Sequence, residues 1–155
     1  MQTFLPYESF LKSASVLDKK RCWKQVVEAS QIINVLRQLN NNETPAWRNH
    51  PAVKMWVGYA EALKHYYNIF LNESKNIRLV NTNLQYFDTI YSYEKNGNLF
   101  VDVLHIQGND KPWWLGNENF HRAMRARLIE KDESFYLPKF PEDKKFNNSK
   151  YFWPN

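Results

Sequence analysis

The sequence predicts a mostly α-helical fold: one compact helical domain over residues 1–155, closing in an irregular aromatic tail. Three observations predict it. Apolar residues recur at helical spacing in three long segments. Asn and Pro punctuate those segments where helices start and stop. From Glu133 onward, Pro138, Pro141 and Pro154 interrupt a stretch rich in Phe, Tyr and Lys.

Residues 1–7 read as extended, because Pro6 disfavours helical geometry at Leu5. A short helix over Ser9 to Ser13 follows. The clearest helix spans about Val16 to Leu39. It carries one stripe of Cys22, Val26, Ala29, Ile33 and Leu36 and a second of Leu17, Ile32, Val35 and Leu39. Two stripes mean contact on more than one side, so this helix belongs at the centre. Asn40-Asn41-Asn42 ends it, and Thr44 to Asn49 connects onward. His50-Pro51 opens a second helix with Pro at its favoured first position. Val53, Trp56, Ala60, Leu63, Tyr67 and Phe70 stripe that helix to about Leu71. Residues 76–112 are ambiguous: Asn83 to Ile90 suits a short helix, and residues 91–104 suit a hairpin turning at Lys95-Asn96-Gly97-Asn98. A third helix runs from Asn117 to about Lys131, with Phe120, Met124, Leu128 and Ile129 facing inward.

Composition narrows the function. With 155 residues the chain can bury a core without disulfides, and its lone Cys22 excludes a disulfide framework or a CxxC metal site. Cys22 itself reads as a small buried hydrophobe. No apolar run approaches the roughly 20 residues of a membrane span. Met1 to Pro6 lacks the basic and apolar regions of a signal peptide, so an intracellular, cytoplasmic location is expected. A formal charge of +5 permits a polyanionic partner without proving one. Aromatics make up 16% of the chain, enough that some are expected on the surface, where aromatics beside Lys and Arg suit stacking on bases. The alternative is a core built of large residues. Phosphate-cradling GxxxxGK[ST] and GxGxxG motifs are absent, as is HExxH.

Three groups are candidates for chemistry. Glu28 shares a helix face with Leu17, Arg21, Lys24, Ile32 and Val35. A carboxylate at the edge of apolar surface among cations can stabilise a developing positive charge or shuttle a proton. The bland reading is an i,i+4 surface pair with Lys24. Trp47-Arg48-Asn49-His50-Pro51 offers a helix start with free N–H groups, a cation, a stacking surface and a donor, which suits phosphate. Its bland reading is that His50 caps a helix and Trp47 packs in the core. Arg122, Arg125, Arg127 and Lys131 are either phosphate contacts or a solvated helix face.

Met1 to Tyr7 (MQTFLPY), Leu17-Asp18 and Lys24 to Ala29 (KQVVEA) resemble a bacterial and viral group of proteins. Trp47 to Ala52, Met55 to Tyr59, Trp114-Leu115-Gly116, Phe120-His121 and Phe152-Trp153-Pro154 carry the same resemblance. That group more distantly resembles the pyrimidine-dimer DNA glycosylase/AP lyases of the endonuclease V type. The resemblance implies a compact helical protein whose N-terminal α-amine attacks C1′ of a damaged nucleotide, forms a Schiff base and promotes β-elimination. It implies Glu28 as catalytic carboxylate, His50 as the His opening a later helix, and Arg125, Arg127 and Lys131 as DNA-backbone contacts. Gln2 is bulky, so Met1 is expected to be retained and to supply the amine. An α-amine, with an ordinary pKa of about 8, suits this role better than a Lys side chain near about 10.4.

The resulting expectation is a DNA glycosylase, with AP-lyase activity as an extension, acting on damaged or modified pyrimidines. Met1 and Glu28 are its catalytic pair. Arg21, Lys24, Trp47, Arg48, His50, Arg125, Arg127 and Lys131 are its DNA-binding residues. It needs no cofactor and no metal, and it meets double-stranded DNA as a monomer. The alternatives are a non-catalytic DNA-binding module, an interaction protein docking through its aromatic tail, and an enzyme acting on a free nucleotide or hypermodified base.

Overall fold

The computed structural model describes residues 1–95, 98–101, 106, 108–146 and 153–154, with backbone alone for 93–95 and 98–101. Its helices are α1 (Phe10–Val16), α2 (Lys19–Asn40), α3 (Pro51–Lys54), α4 (Ala60–Asn72), α5 (Glu118–Lys131) and α6 (Glu133–Tyr136). Strands β1 (Ser92–Lys95) and β2 (Asn98–Val101) pair antiparallel with Ser92 opposite Val101. The fold is mostly helical, as the sequence predicts. The hairpin's turn residues Asn96 and Gly97 lie outside the described residues, as do Lys150, Tyr151 and Phe152 of the tail.

Helix α2 is the central element. Cys22, Val26, Ala29, Ile33 and Leu36 are buried, and so are Ile32 and Val35 on its second stripe. Its most extensive partner is α4, whose Leu63, Tyr66, Tyr67 and Phe70 are buried against it. Phe120, Met124, Leu128 and Ile129 on α5 join the same core, as the 3.6-residue spacing predicts.

The helix boundaries differ from expectation in three places, each for a local reason. The long helix expected from Val16 starts at Lys19, and the short helix expected over Ser9 to Ser13 runs on to Val16, because Leu17 and Asp18 are extended and the Asp18 side chain accepts from Arg21 N to start α2. The Arg78 guanidinium donates to the Ala14, Ser15 and Leu17 carbonyls, satisfying the end of α1. The expected helix from His50 to Leu71 breaks between α3 and α4, where Gly58 takes φ +87°, a left-handed conformation that favours Gly. Residues 83–90 are not helical. Buried Asn68 holds Phe87 there through both amide groups, accepting from its N–H at 2.9 Å and donating to its carbonyl at 2.8 Å. The tail after Glu133, expected to be irregular, opens with the single helical turn of α6.

Candidate active site

The site starts from an extended segment, residues 2–7, that the fold grips at every residue. Gln2 N–H donates to Glu28 Oε2 at 3.0 Å. Trp56 Nε1 donates to Thr3 Oγ1 at 3.0 Å. Phe4 N–H donates to Gln25 Oε1 at 2.7 Å, and the Tyr66 hydroxyl lies 2.9 Å from the Phe4 carbonyl and 3.0 Å from Gln25 Oε1. The Leu5 carbonyl lies 2.8 Å from His121 Nδ1, and the Pro6 carbonyl accepts from Arg125 at 2.8 Å. Tyr7 exchanges both its backbone groups with Ser13 Oγ. Residues 2–6 are buried, so the bonds at Gln2, Phe4, Leu5 and Pro6 satisfy main-chain groups that water cannot reach, and the Trp56 bond does the same for the Thr3 hydroxyl.

This anchoring delivers the chain's first residue to the wall of a cavity of about 610 Å³. Met1, Gln2, Phe4, Gln25, Glu28, His50 and Trp153 line it together with Asp18, Lys20, Arg21, Lys24, Lys131 and Asp132. Four basic side chains and the chain's amine face three carboxylates there, so the wall carries excess positive charge. Glu28 holds its carboxylate at 14% exposure, with Lys24 Nζ 4.0 Å from Oε1. Because the Met1 nitrogen lies within one residue's reach, at most about 3.6 Å, of Gln2 N, covalent geometry keeps the amine within about 7 Å of the Glu28 carboxylate.

His50 completes the triangle. Its Nδ1 accepts from Ala52 N at 3.0 Å, so the capping reading holds, and the ring is the neutral tautomer with its proton on Nε2. Burial, and then the positive N-terminus, push its pKa down; Glu28 acts in the opposite sense. The imidazole thus feels both the amine and the carboxylate. Its ring lies near those of Trp47 and Trp153, with centroids 5.6 and 6.2 Å away.

The remaining sequence-identified residues divide. Arg21, Lys24 and Lys131 line the cavity, although Arg21 also bonds Asp18 at 3.3 Å. Trp47 stands at the surface, 54% exposed, so its core-packing reading does not hold. Arg48 is exposed and turns back to the Pro45 carbonyl. Arg127 is half-buried beside Glu130 at 3.7 Å, and neither it nor Arg125 lines the cavity. Arg125 is buried, with Nε on Asp143 at 2.8 Å and its two other nitrogens on Glu118 and the Pro6 carbonyl. Arg122 also pairs with Asp143, at 3.1 Å.

Several cavity residues escaped the sequence reading: Lys20, Gln25, Asp18 and Asp132. Asp18 was legible as an N-cap, three residues before Arg21. Its hydrogen bond from the Tyr136 hydroxyl, joining α2 to α6, was not. Burial opposes the Asp18 charge, but the bonds from Tyr136 and Arg21 outweigh it and hold the pKa below the usual range. Among the described residues, no group of three or more His, Cys, Asp or Glu gathers as a metal site. No described helix is long and apolar enough to cross a membrane.

Comparison with known families matches residues 1–88 to the family described as pyrimidine dimer DNA glycosylase. The match covers the gripped segment, α2, Glu28 and His50. No curated protein and no solved structure gives a match.

Proposed function

Since the chain belongs to the pyrimidine dimer DNA glycosylase family, whose partner is DNA, we propose that it excises damaged or modified pyrimidines by amine catalysis at the Met1–Glu28 cavity. The observation that carries this reading is the 3.0 Å bond from Gln2 N–H to Glu28, which brings the start of the chain beside a helix-borne carboxylate.

In this reading the neutral amine of Met1 attacks C1′. The C1′–N1 bond breaks, and its electron pair leaves with the base, which takes up a proton. Positive charge builds on the sugar as the bond opens, and the fixed Glu28 carboxylate stabilises it more in the transition state than in the ground state. The amine nitrogen then loses protons and the sugar ring opens, giving an imine at C1′. In the lyase extension a base removes a C2′ proton, and the C3′–O bond breaks as the 3′ phosphate departs. Amine and carboxylate supply this chemistry without a cofactor.

Lys20, Arg21, Lys24 and Lys131 suit the flanking phosphates. His50 and Trp153 offer ring surfaces where a displaced nucleotide would stack, with exposed Trp47 beside them. The duplex is the expected substrate form, met by a monomer inside the cell. Residues 1–155 are read as one domain, because the gripped segment, α2, α4 and α5 share a core.

The test is incision of duplex DNA carrying a pyrimidine dimer. Native protein is expected to cut one glycosidic bond of the dimer, whose base stays tethered to its dimer partner, and to nick the strand there. Protein whose N-terminal amine has been acetylated is expected to bind the same duplex without turnover. Equal turnover by the acetylated protein would exclude the mechanism.

A further inference from the structure

We propose that Gln25 is a positioning residue that sets the register of the N-terminal segment, and so the placement of the Met1 amine against Glu28. This rests on the amine mechanism proposed above and adds a residue that this mechanism does not by itself require.

Gln25 and Glu28 lie three residues apart on α2, one above the other on the same face. The segment docks on them with alternate residues: Phe4 on Gln25 at 2.7 Å and Gln2 on Glu28 at 3.0 Å. It therefore runs antiparallel to α2, and its N–H groups face the helix with the two-residue period of extended chain. Glu28 alone cannot define this register, because any N–H of the correct orientation could occupy its oxygen. A slip by one residue turns the wrong backbone groups toward α2. A slip by two restores the orientation but carries the amine about 7 Å along the wall. Gln25 opposes both slips by holding Phe4 at the same time, on the helix that carries Glu28, while Trp56, His121 and Arg125 hold the neighbouring residues from other parts of the fold.

The side chain suits that task. Gln25 is 1% exposed, so its oxygen cannot exchange Phe4 for water. The Tyr66 hydroxyl, itself fully buried, lies 3.0 Å from that oxygen and 2.9 Å from the Phe4 carbonyl, and its single proton serves one of these acceptors at a time. Tyr66 is held in turn by Phe70, stacked at 4.1 Å, and by Phe10 at 5.5 Å. Thus an aromatic cluster on α1 and α4 backs the one amide that ties the segment to α2 at Phe4, the tie nearest to the Gln2–Glu28 bond along that helix.

The experiment is single-turnover borohydride trapping on abasic-site duplex, with duplex affinity and melting temperature measured on the same preparations. Gln25→Met keeps the volume and burial but removes the acceptor. We expect trapping to slow by about 100-fold, the scale of a 1 Å misplacement of reacting groups, with duplex affinity within about threefold of the native value. Tyr66→Phe keeps the ring and removes the hydroxyl. It is expected to slow trapping by a smaller factor in the same direction, and it decides the question if Gln25→Met does not fold. Native trapping rates in the folded variants would overturn the inference. A loss of trapping matched by an equal loss of duplex affinity would also overturn it, because that pattern marks a merely structural side chain. If native protein itself forms no adduct, the amine mechanism fails and the positioning role falls with it.

Discussion

Arg21 and Lys24 of α2 and Arg125 of α5 were equally plausible DNA contacts on paper, and the fold gives them opposite surroundings. Lys20, Arg21 and Lys24 on α2 face an open cavity, and Lys24 is 67% exposed at its side chain. Arg125 on α5 is 10% exposed at its side chain and spends its guanidinium on Asp143, Glu118 and the Pro6 carbonyl. Exposed cations keep their field available to a polyanion. A buried guanidinium whose nitrogens are all engaged acts instead as a brace, here joining α5 to the N-terminal segment. In the proposed mechanism the two regions cooperate from different positions: one would meet the substrate, and the other helps hold the N-terminal segment in place.

The sharpest way to test this division is to remove charge at its catalytic end. Glu28→Gln keeps an acceptor for Gln2 N–H and removes the negative charge. Its turnover is expected to fall by about 10³-fold, the upper range for losing one electrostatic stabiliser, while duplex affinity is retained in a gel-shift titration. The next largest effect lies on α5. Arg125→Met leaves Asp143 with only Arg122 as an ion-pair partner, and the unfolding free energy is expected to drop by roughly 3–5 kcal/mol, read by urea denaturation. If Arg125→Met weakened DNA binding and left stability intact, the brace assignment would be wrong.

Smaller effects separate the cavity wall from the brace. Lys24→Ala and Lys131→Ala are each expected to flatten the salt dependence of duplex binding by about one unit of slope, with melting temperature unchanged. Unchanged slopes in both would remove these residues from the DNA-contact surface.

Proton linkage supplies the smallest test. His121 Nδ1–H donates to Leu5, while Nε2 accepts from Gly116 N–H at 3.0 Å, so the native ring is neutral. Burial lowers its pKa and Arg125 acts in the same sense, while the Leu5 bond, Glu118 and Glu8 oppose them. A lowered native pKa means that the unfolded chain takes up protons first. The stability His121 contributes is therefore complete above its ordinary pKa of about 6.5 and is lost as pH falls through the lower native value. Melting temperature should decline as pH falls from about 6.5 toward that lower value in native protein and decline less in His121→Asn.

How much was legible in the sequence follows from the kind of signal each feature leaves. Helical spacing reports which residues face inward, so Cys22, Val26, Ala29, Ile33 and Leu36 were assigned correctly to the core. The Asp18 cap that starts α2 is a local signal, but the carbonyls that end α1 are satisfied by Arg78, more than 50 residues away in the chain, and no local pattern encodes that. The same holds for residues 83–90, which are ordered by Asn68 from α4. Within the candidate site, Glu28 and His50 stood out because helix faces and helix starts are local properties. The sorting of Arg125 from Lys131 was not visible, because it depends on Asp143 and on the path of the first six residues. Gln25 was missed for a related reason: a polar residue on an apolar face looks like noise until its partner, the Phe4 backbone, is known.

The central claim is that the first residue's amine, and no lysine on the wall, meets the sugar. Borohydride reduction on abasic-site duplex, followed by mass analysis of the digested adduct, tests it most directly. The deoxyribose fragment is predicted on the peptide that begins with Met1. Its appearance on Lys20, Lys24 or Lys131 would contradict the account.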